Sequence, residues 1–186
     1  MKMPKKIPYG ISNYESLRTE NYAYVDKTRF IEQIENEPTK YQFLIRPRKF
    51  GKSLFLSTLR HYYDICSADK FDVLFGDLYI GKHPTPKRNS CFLIKFSFSG
   101  LNTNSAEKFE ISFTEAIRSS IQFFLTEHID ILENYDELLK TAWNIGSVRG
   151  HIEFAFNLIN RFKKKSLHIN IIYPTRKIRE IKQVNS

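Results

Sequence analysis

The octapeptide Arg46-Pro47-Arg48-Lys49-Phe50-Gly51-Lys52-Ser53 sets the fold this chain is expected to adopt. Its last three residues form the second half of a phosphate-binding loop. In such a loop glycine lets the backbone approach an anion, the lysine sets an ammonium beside the β and γ phosphates, and the serine hydroxyl serves Mg²⁺. Inward-turned amides and the positive end of the following helix complete the cradle. The usual leading glycine is absent, because position 46 is arginine. Gly-Lys-Ser occurs often by chance, so its weight comes from its surroundings. Before it runs Tyr41-Gln42-Phe43-Leu44-Ile45, an apolar stretch between Pro38 and Pro47 that reads as a short buried strand. After it, residues 52–64 carry Leu54, Phe55, Leu56, Leu59, Tyr62 and Tyr63, a largely apolar helix. Strand, loop and helix follow in the order a phosphate loop requires.

Working outward, Ser12-Asn13-Tyr14-Glu15 has the spacing of a capping box and predicts a short helix through about Arg18. Residues 22–25 read as a brief extended piece. Asp26 then caps a helix with Phe30, Ile31 and Ile34 on its apolar face, closed by Pro38. Residues 91–98 alternate as a strand, with Phe92, Ile94, Phe96 and Phe98 on one side. A helix is expected from Ser105 to about Glu133, with Phe109, Phe113, Ile117, Ile121 and Phe124 as its buried stripe. Another is expected over 147–165, with Ile152, Phe156, Leu158, Ile159 and Phe162 inward, and residues 167–173 read as a strand stopped by Pro174. Helices alternating with strands predict an α/β fold, a parallel sheet flanked by helices.

At this point the chain resembles the AAA-ATPase-like proteins of bacteria and archaea, in which an Arg-Pro-Arg-Arg/Lys-Phe-Gly-Lys-Ser/Thr loop replaces the glycine-led form. The likeness extends to Ile7-Pro8-Tyr9-Gly10-Ile11-Ser12, Tyr24-Val25-Asp26-Lys27-Thr28, Leu54-Phe55-Leu56-Ser57-Thr58-Leu59 and Phe96-Ser97-Phe98-Ser99, over roughly residues 7–160. It implies a P-loop NTPase-like fold that binds ATP and Mg²⁺, normally joined to a C-terminal region similar to restriction-endonuclease-like nucleases. It also makes residues 46–53 the nucleotide-binding set, with Ser53 towards the metal. Pro47 can stiffen the loop. Arg48 and Lys49 add positive charge near the phosphates, although for Lys49 a solvent-facing role is an equal reading. For Asp26 two readings stand, a helix cap, which is favoured, and a contact with the base or Mg²⁺.

Hydrolysis by such a fold needs an acidic strand end. Family members place an Asp-Glu pair after an apolar strand downstream; the corresponding Leu167-His168-Ile169-Asn170-Ile171-Ile172-Tyr173 holds no carboxylate. Binding with weak or absent hydrolysis is therefore expected, and whether the chain is an enzyme stays open. The chain also reads as a truncated or frame-altered member, with an incomplete sheet. Its expected organisation is an ATPase-like domain over 1–165 and a basic, foreign or disordered tail over 166–186.

Composition bounds these readings. At 186 residues, 41% hydrophobic and 15% aromatic, the chain carries enough apolar surface for one packed domain. Cys66 and Cys91 have no metal-ligand spacing and are expected to be reduced core residues. His61 and His128 stand in helical stretches without ligand partners nearby. There is no signal-peptide pattern and no run near the ~20 apolar residues of a membrane span, so a soluble cytoplasmic protein is expected. Of the net charge of +9, residues 161–186 supply +7, with eight Lys or Arg against Glu180. Such a run is more often a solvated end than a nucleic-acid contact. A basic nucleic-acid-binding protein, or a remnant without function, are the alternatives to the nucleotide reading.

Overall fold

The computed structural model describes residues 5–39, 44–47, 49–163 and 168–172, and these fall into two compact units that divide between Phe92 and Leu93. The first unit is helical. Its α1 (Tyr14–Thr19), α2 (Arg29–Asn36), α3 (Lys52–Tyr63), α4 (Phe71–Phe75) and α5 (Tyr79–Lys82) are joined by short loops and by a 3₁₀ segment, Ile65–Lys70. Aromatic side chains fill its centre: Tyr14, Tyr62 and Phe75 are fully buried beside Leu17, Ile31, Leu74 and Ile80. The Tyr14 and Phe75 rings lie 5.1 Å apart, and Tyr62 meets Phe75 edge-on at 5.6 Å. The phenol of Tyr14 is affordable in this core because its hydroxyl donates to the Leu74 carbonyl at 2.8 Å. Arg18 Nε donates to the same carbonyl at 2.9 Å. A five-residue helix leaves its last carbonyls without intrahelical donors, and α1 supplies them.

Helix α1 starts one residue later than a capping box at Ser12 predicts: Asn13 is the N-cap, and its side chain accepts from the Ser16 amide at 3.1 Å. Both residues are competent caps, and the Tyr14 amide, which a cap at Ser12 would enclose, instead donates to Ser57 Oγ on α3 at 3.0 Å. Helix α2 ends before Pro38 as expected, with Ile31 fully buried and Phe30 half exposed. Of the strand expected over 41–45, Tyr41, Gln42 and Phe43 lie outside the described residues. Leu44 and Ile45 are not in a strand, and Ile45 is 83% exposed. An apolar run becomes a strand only where a neighbour completes its hydrogen-bond ladder, and no ladder partner for these two residues is present among the described residues. Cys91 is buried, but Cys66, expected in the core, is exposed on the 3₁₀ segment.

Strand β1 (Cys91–Lys95) straddles the division; Cys91 to Ile94 are buried on both faces and Lys95 is exposed. It pairs with β2 (His168–Ile172) in a two-stranded arrangement. The described residues are thus mostly helical, and they do not show a parallel sheet flanked by helices. The second unit is built on α6 (Ala106–Glu127), packed against α7 (Tyr135–Asn144) and α8 (Val148–Lys163). Ser105 caps α6 by accepting from the Lys108 amide. Of the expected stripe Ile117, Ile121 and Phe124 are buried, whereas Phe109 and Phe113 are half-buried, Phe113 stacking on Phe98 with centroids 5.0 Å apart.

Two expectations fail here for physical reasons. The helix carried on to Glu133 by periodicity ends at Glu127, and α7 begins after Asn134, whose φ of 61° turns the chain without a glycine. On α8 Leu158 is buried as expected, but Ile152 and Phe156 are 38% and 52% exposed and His151 and Ala155 are buried in their place. Ala155 permits close helix packing. His151 is tolerated inside because Nδ1 donates to the Ser147 carbonyl at 2.8 Å, and Nε2 accepts from Arg118 Nε at 3.4 Å. The side chains of Ile159 and Phe162 lie outside the described residues.

Candidate functional site

The loop and helix expected from Gly51-Lys52-Ser53 are present. Gly51 adopts φ 73°, ψ 20° and is the N-cap of α3, and Lys49 two residues earlier also has a positive φ of 68°. Left-handed residues alternating with ordinary ones turn successive amides towards a common side, the arrangement that receives anions. A Cβ added at Gly51 would meet nothing within 4 Å, so glycine is required there for its backbone conformation and not for space. Helix α3 is twelve residues long. Its first internal bond runs from the Phe55 amide to the Gly51 carbonyl at 2.8 Å. The amides of Lys52, Ser53 and Leu54 therefore face outward at a positive helix end with no acid in the first turn.

The predicted residues distribute as follows. Arg46, Pro47, Lys49, Phe50, Gly51 and Ser53 are exposed, Lys52 is half-buried, and Arg48 lies outside the described residues. Lys52 Nζ donates to the carbonyls of Arg46 and, at 3.0 Å, Pro47, folding the ammonium back over the loop. Its partners are neutral carbonyls, which leave the positive charge uncompensated and able to attract an anion. Phe50 is 64% exposed beside it. These groups fit a polyphosphate: an ammonium, outward amides and a helix end, with only positive side chains in the loop. Ser53 sets an exposed hydroxyl in the first turn of α3. That fits a metal which takes most of its ligands from phosphate oxygens and water, as Mg²⁺ does.

Asp26 is resolved by geometry. One carboxylate oxygen accepts from the Thr28 amide and hydroxyl, at 2.8 and 2.7 Å, and the other accepts from the Tyr79 amide at 2.8 Å. Thr28 precedes α2 and Tyr79 opens α5, so the carboxylate ties together two helix starts. Burial alone would raise the Asp26 carboxyl, but the bonds from the Thr28 side chain and the Tyr79 and Thr28 amides prevail and hold it below the usual carboxylate range. Asp26 is not the N-cap of α2 as expected, since that position is Thr28; its carboxylate instead braces the turn into α2 and the first amide of α5. His61 is likewise structural: its ring contacts Ser67 Oγ at 3.2 Å, and burial followed by the neighbouring Arg60 cation lowers its basicity.

The residues that sequence reasoning missed are those that grip α3 from the side. Ser57 Oγ takes the Tyr14 amide. Thr58, fully buried, donates to the Leu54 carbonyl at 3.0 Å. Nothing in the local pattern of Tyr14 announces a partner 43 positions away. In the second unit Val148, Ile152 and Phe156 line an open groove with Glu110, Arg149 and Glu153, which brings no convergent polar set together.

Comparison with known proteins gives a family. The family model described as predicted AAA-ATPase matches residues 8–170. Over 56 residues the chain is 54% identical to an uncharacterized protein in the vnfD 5' region of Azotobacter chroococcum mcd 1. That match takes in 30% of this chain and 11% of the relative, so the chain spans about a tenth of that protein's length. No solved structure matches. Among the described residues no helix is long and apolar enough to cross a membrane.

Proposed function

Because the chain belongs to the family of predicted AAA-ATPases, matched over residues 8–170, we propose that it is an ATP-binding module whose phosphate site is residues 46–53. The observation that carries this reading is the loop geometry. Two positive-φ residues lead into a twelve-residue helix whose first amides have no partner within the helix, and the Lys52 ammonium folds back over the loop. When nucleotide is bound, Mg²⁺ supplies charge neutralisation between phosphates. On the protein side, Gly51 holds the loop open to the anion. Lys52 exchanges its carbonyl partners for phosphate oxygens, and Ser53 offers its hydroxyl to the metal.

Hydrolysis by these residues alone is weak or absent in this account. In many such enzymes a carboxylate near the γ phosphate activates the attacking water, and residues 167–173, where the family resemblance would put it, contain none. The sheet that a P-loop fold uses, and the division into a 1–165 domain and a basic tail, belong to the same proposal. Displacement tests it. A fluorescent ATP analogue bound with Mg²⁺ is expected to be displaced by inorganic pyrophosphate and hardly by adenosine, since recognition lies in the phosphates. Displacement by adenosine but not by pyrophosphate would refute the assignment.

A second reading rests on the eight Lys or Arg in residues 161–186, which suit the phosphate backbone of nucleic acid. Binding of that kind weakens steeply between about 50 and 200 mM salt and is indifferent to Lys52→Ala.

A further inference from the structure

We infer that Ser57 is a positioning residue for the phosphate site: by receiving the Tyr14 amide it sets the rotation of α3, and with it the aim of Ser53 and of the first-turn amides; this rests on the nucleotide reading above. Residues four apart share one face of a helix, so Ser53, Ser57 and His61 form a stripe along α3. Tyr14 covers the two lower positions of that stripe. Its amide donates to Ser57 Oγ at 3.0 Å, and its ring centroid lies 6.2 Å from that of His61. The remaining position, about 6 Å further along the axis, is Ser53, which is exposed. Helix α1 therefore grips α3 up to one turn short of the ligand and leaves the last position of the stripe open to it.

Tyr14 can act as a reference point because it is itself held from the other side. It is fully buried, its hydroxyl donates to the Leu74 carbonyl at 2.8 Å, and its ring centroid lies 5.1 Å from that of Phe75, both partners being on α4. Arg18, one turn along α1, donates Nε to the same carbonyl at 2.9 Å. The Tyr14 amide opens α1 and has no acceptor within that helix. The Asn13 side chain serves the Ser16 amide, and Ser57 serves Tyr14. Rotating α3 would withdraw Ser57 and orphan a part-buried amide, which is costly. Thr58, the next residue, is fully buried and donates to the Leu54 carbonyl in the first turn at 3.0 Å, so the same rotation would also draw its side chain out of the core. Rotation is the motion that would turn the Lys52 and Ser53 amides away from a bound phosphate, and both costs oppose it.

The test compares wild type with Ser57→Ala, Ser57→Thr and, as a control for lost stability alone, Ile31→Val in the buried face of α2. One readout is hydrogen exchange without nucleotide at the Phe55 amide, whose bond to the Gly51 carbonyl is the first of α3, set against the Glu37 amide at the end of α2. The other is Mg-ATP affinity, with melting temperature followed throughout. Ser57→Ala is expected to speed exchange about five-fold more at Phe55 than at Glu37, and to weaken Mg-ATP by about five-fold, the factor that one net hydrogen bond carries. Ser57→Thr keeps the hydroxyl and should match wild type in both readouts. Ile31→Val lowers the melting temperature and should leave Mg-ATP affinity unchanged. Equal acceleration at Phe55 and Glu37, a Ser57→Thr variant that behaves as Ser57→Ala, or an equal loss of affinity in Ile31→Val would each overturn the positioning role. If wild type fails to bind Mg-ATP, the nucleotide reading falls, and the exchange measurement, made without ligand, still decides whether Ser57 sets the loop end of α3.

Discussion

Replacing Asp26 with asparagine removes one acceptor from a carboxylate that uses both its oxygens. Asn has a single carbonyl oxygen, so it retains either the two Thr28 bonds or the Tyr79 bond and turns an NH₂ donor at the other. In the less costly arrangement the Tyr79 amide, at the start of α5, faces a donor. An orphaned amide costs about 1–3 kcal/mol when buried, and partial solvent access at Asp26 brings the expected loss to about 1 kcal/mol. For a unit of this size that lowers the melting temperature by about 4–8 °C. A pH series adds a second mark. The folded-state pKa of Asp26 lies below its unfolded value, so the carboxylate contributes stability that is fully present above about pH 4. That contribution is lost as pH falls through the folded pKa. Asp26→Asn should therefore flatten the acid limb of the stability profile as well as lower the plateau. Thermal denaturation by circular dichroism from pH 7 to pH 2.5, without nucleotide or Mg²⁺, measures both. An unchanged plateau with an unchanged acid limb would refute the bracing role and return Asp26 to the ligand-contact alternative.

Other consequences are more compact. Gly51→Ala has room for its methyl but must hold φ near 73°, so it should destabilise by about 1 kcal/mol and weaken phosphate binding, read by denaturant unfolding and by titration with pyrophosphate. Gly81→Ala is worse for the opposite reason: a Cβ there would sit 1.9 Å from the Phe75 carbonyl, so α4 and α5 must separate, at a cost of about 1–3 kcal/mol in chemical denaturation. His61, whose basicity is lowered first by burial and then by Arg60, binds a proton more readily unfolded than folded. Stability should fall as pH drops through about 6.5, and His61→Gln should reduce that slope in a melting series.

The elements legible in the sequence are those whose cause is local. Helix α3 was readable because Gly51 at a left-handed position announces its start and a run of apolar residues carries it on. The break between α6 and α7 was not, because Asn134 makes the turn at φ 61° where a glycine would have given it away. The face of α8 was misjudged because a hydrophobic count favours Ile152 and Phe156, whereas packing chose Ala155 for its size and His151 for its two hydrogen bonds. At the candidate site, Gly51, Lys52 and Ser53 declared themselves by spacing. The bracing of α3 through Tyr14 and Ser57 did not, since it joins residues 43 positions apart that only the folded chain brings together. Asp26 stood between: a role near the start of α2 was readable, but the cap itself is Thr28, and the bond to the Tyr79 amide was not readable.

The central claim is that Lys52 and the amides at the start of α3 hold a polyphosphate. Calorimetric titration of Mg-ATP into the wild-type chain, beside a Lys52→Ala variant with the same circular dichroism and melting profile, tests it most directly. The account predicts a saturable isotherm for wild type and a loss of at least about ten-fold in affinity for the variant, the scale of one charge-assisted contact. Equal affinity in the two proteins, or no binding by a folded wild type, would contradict it.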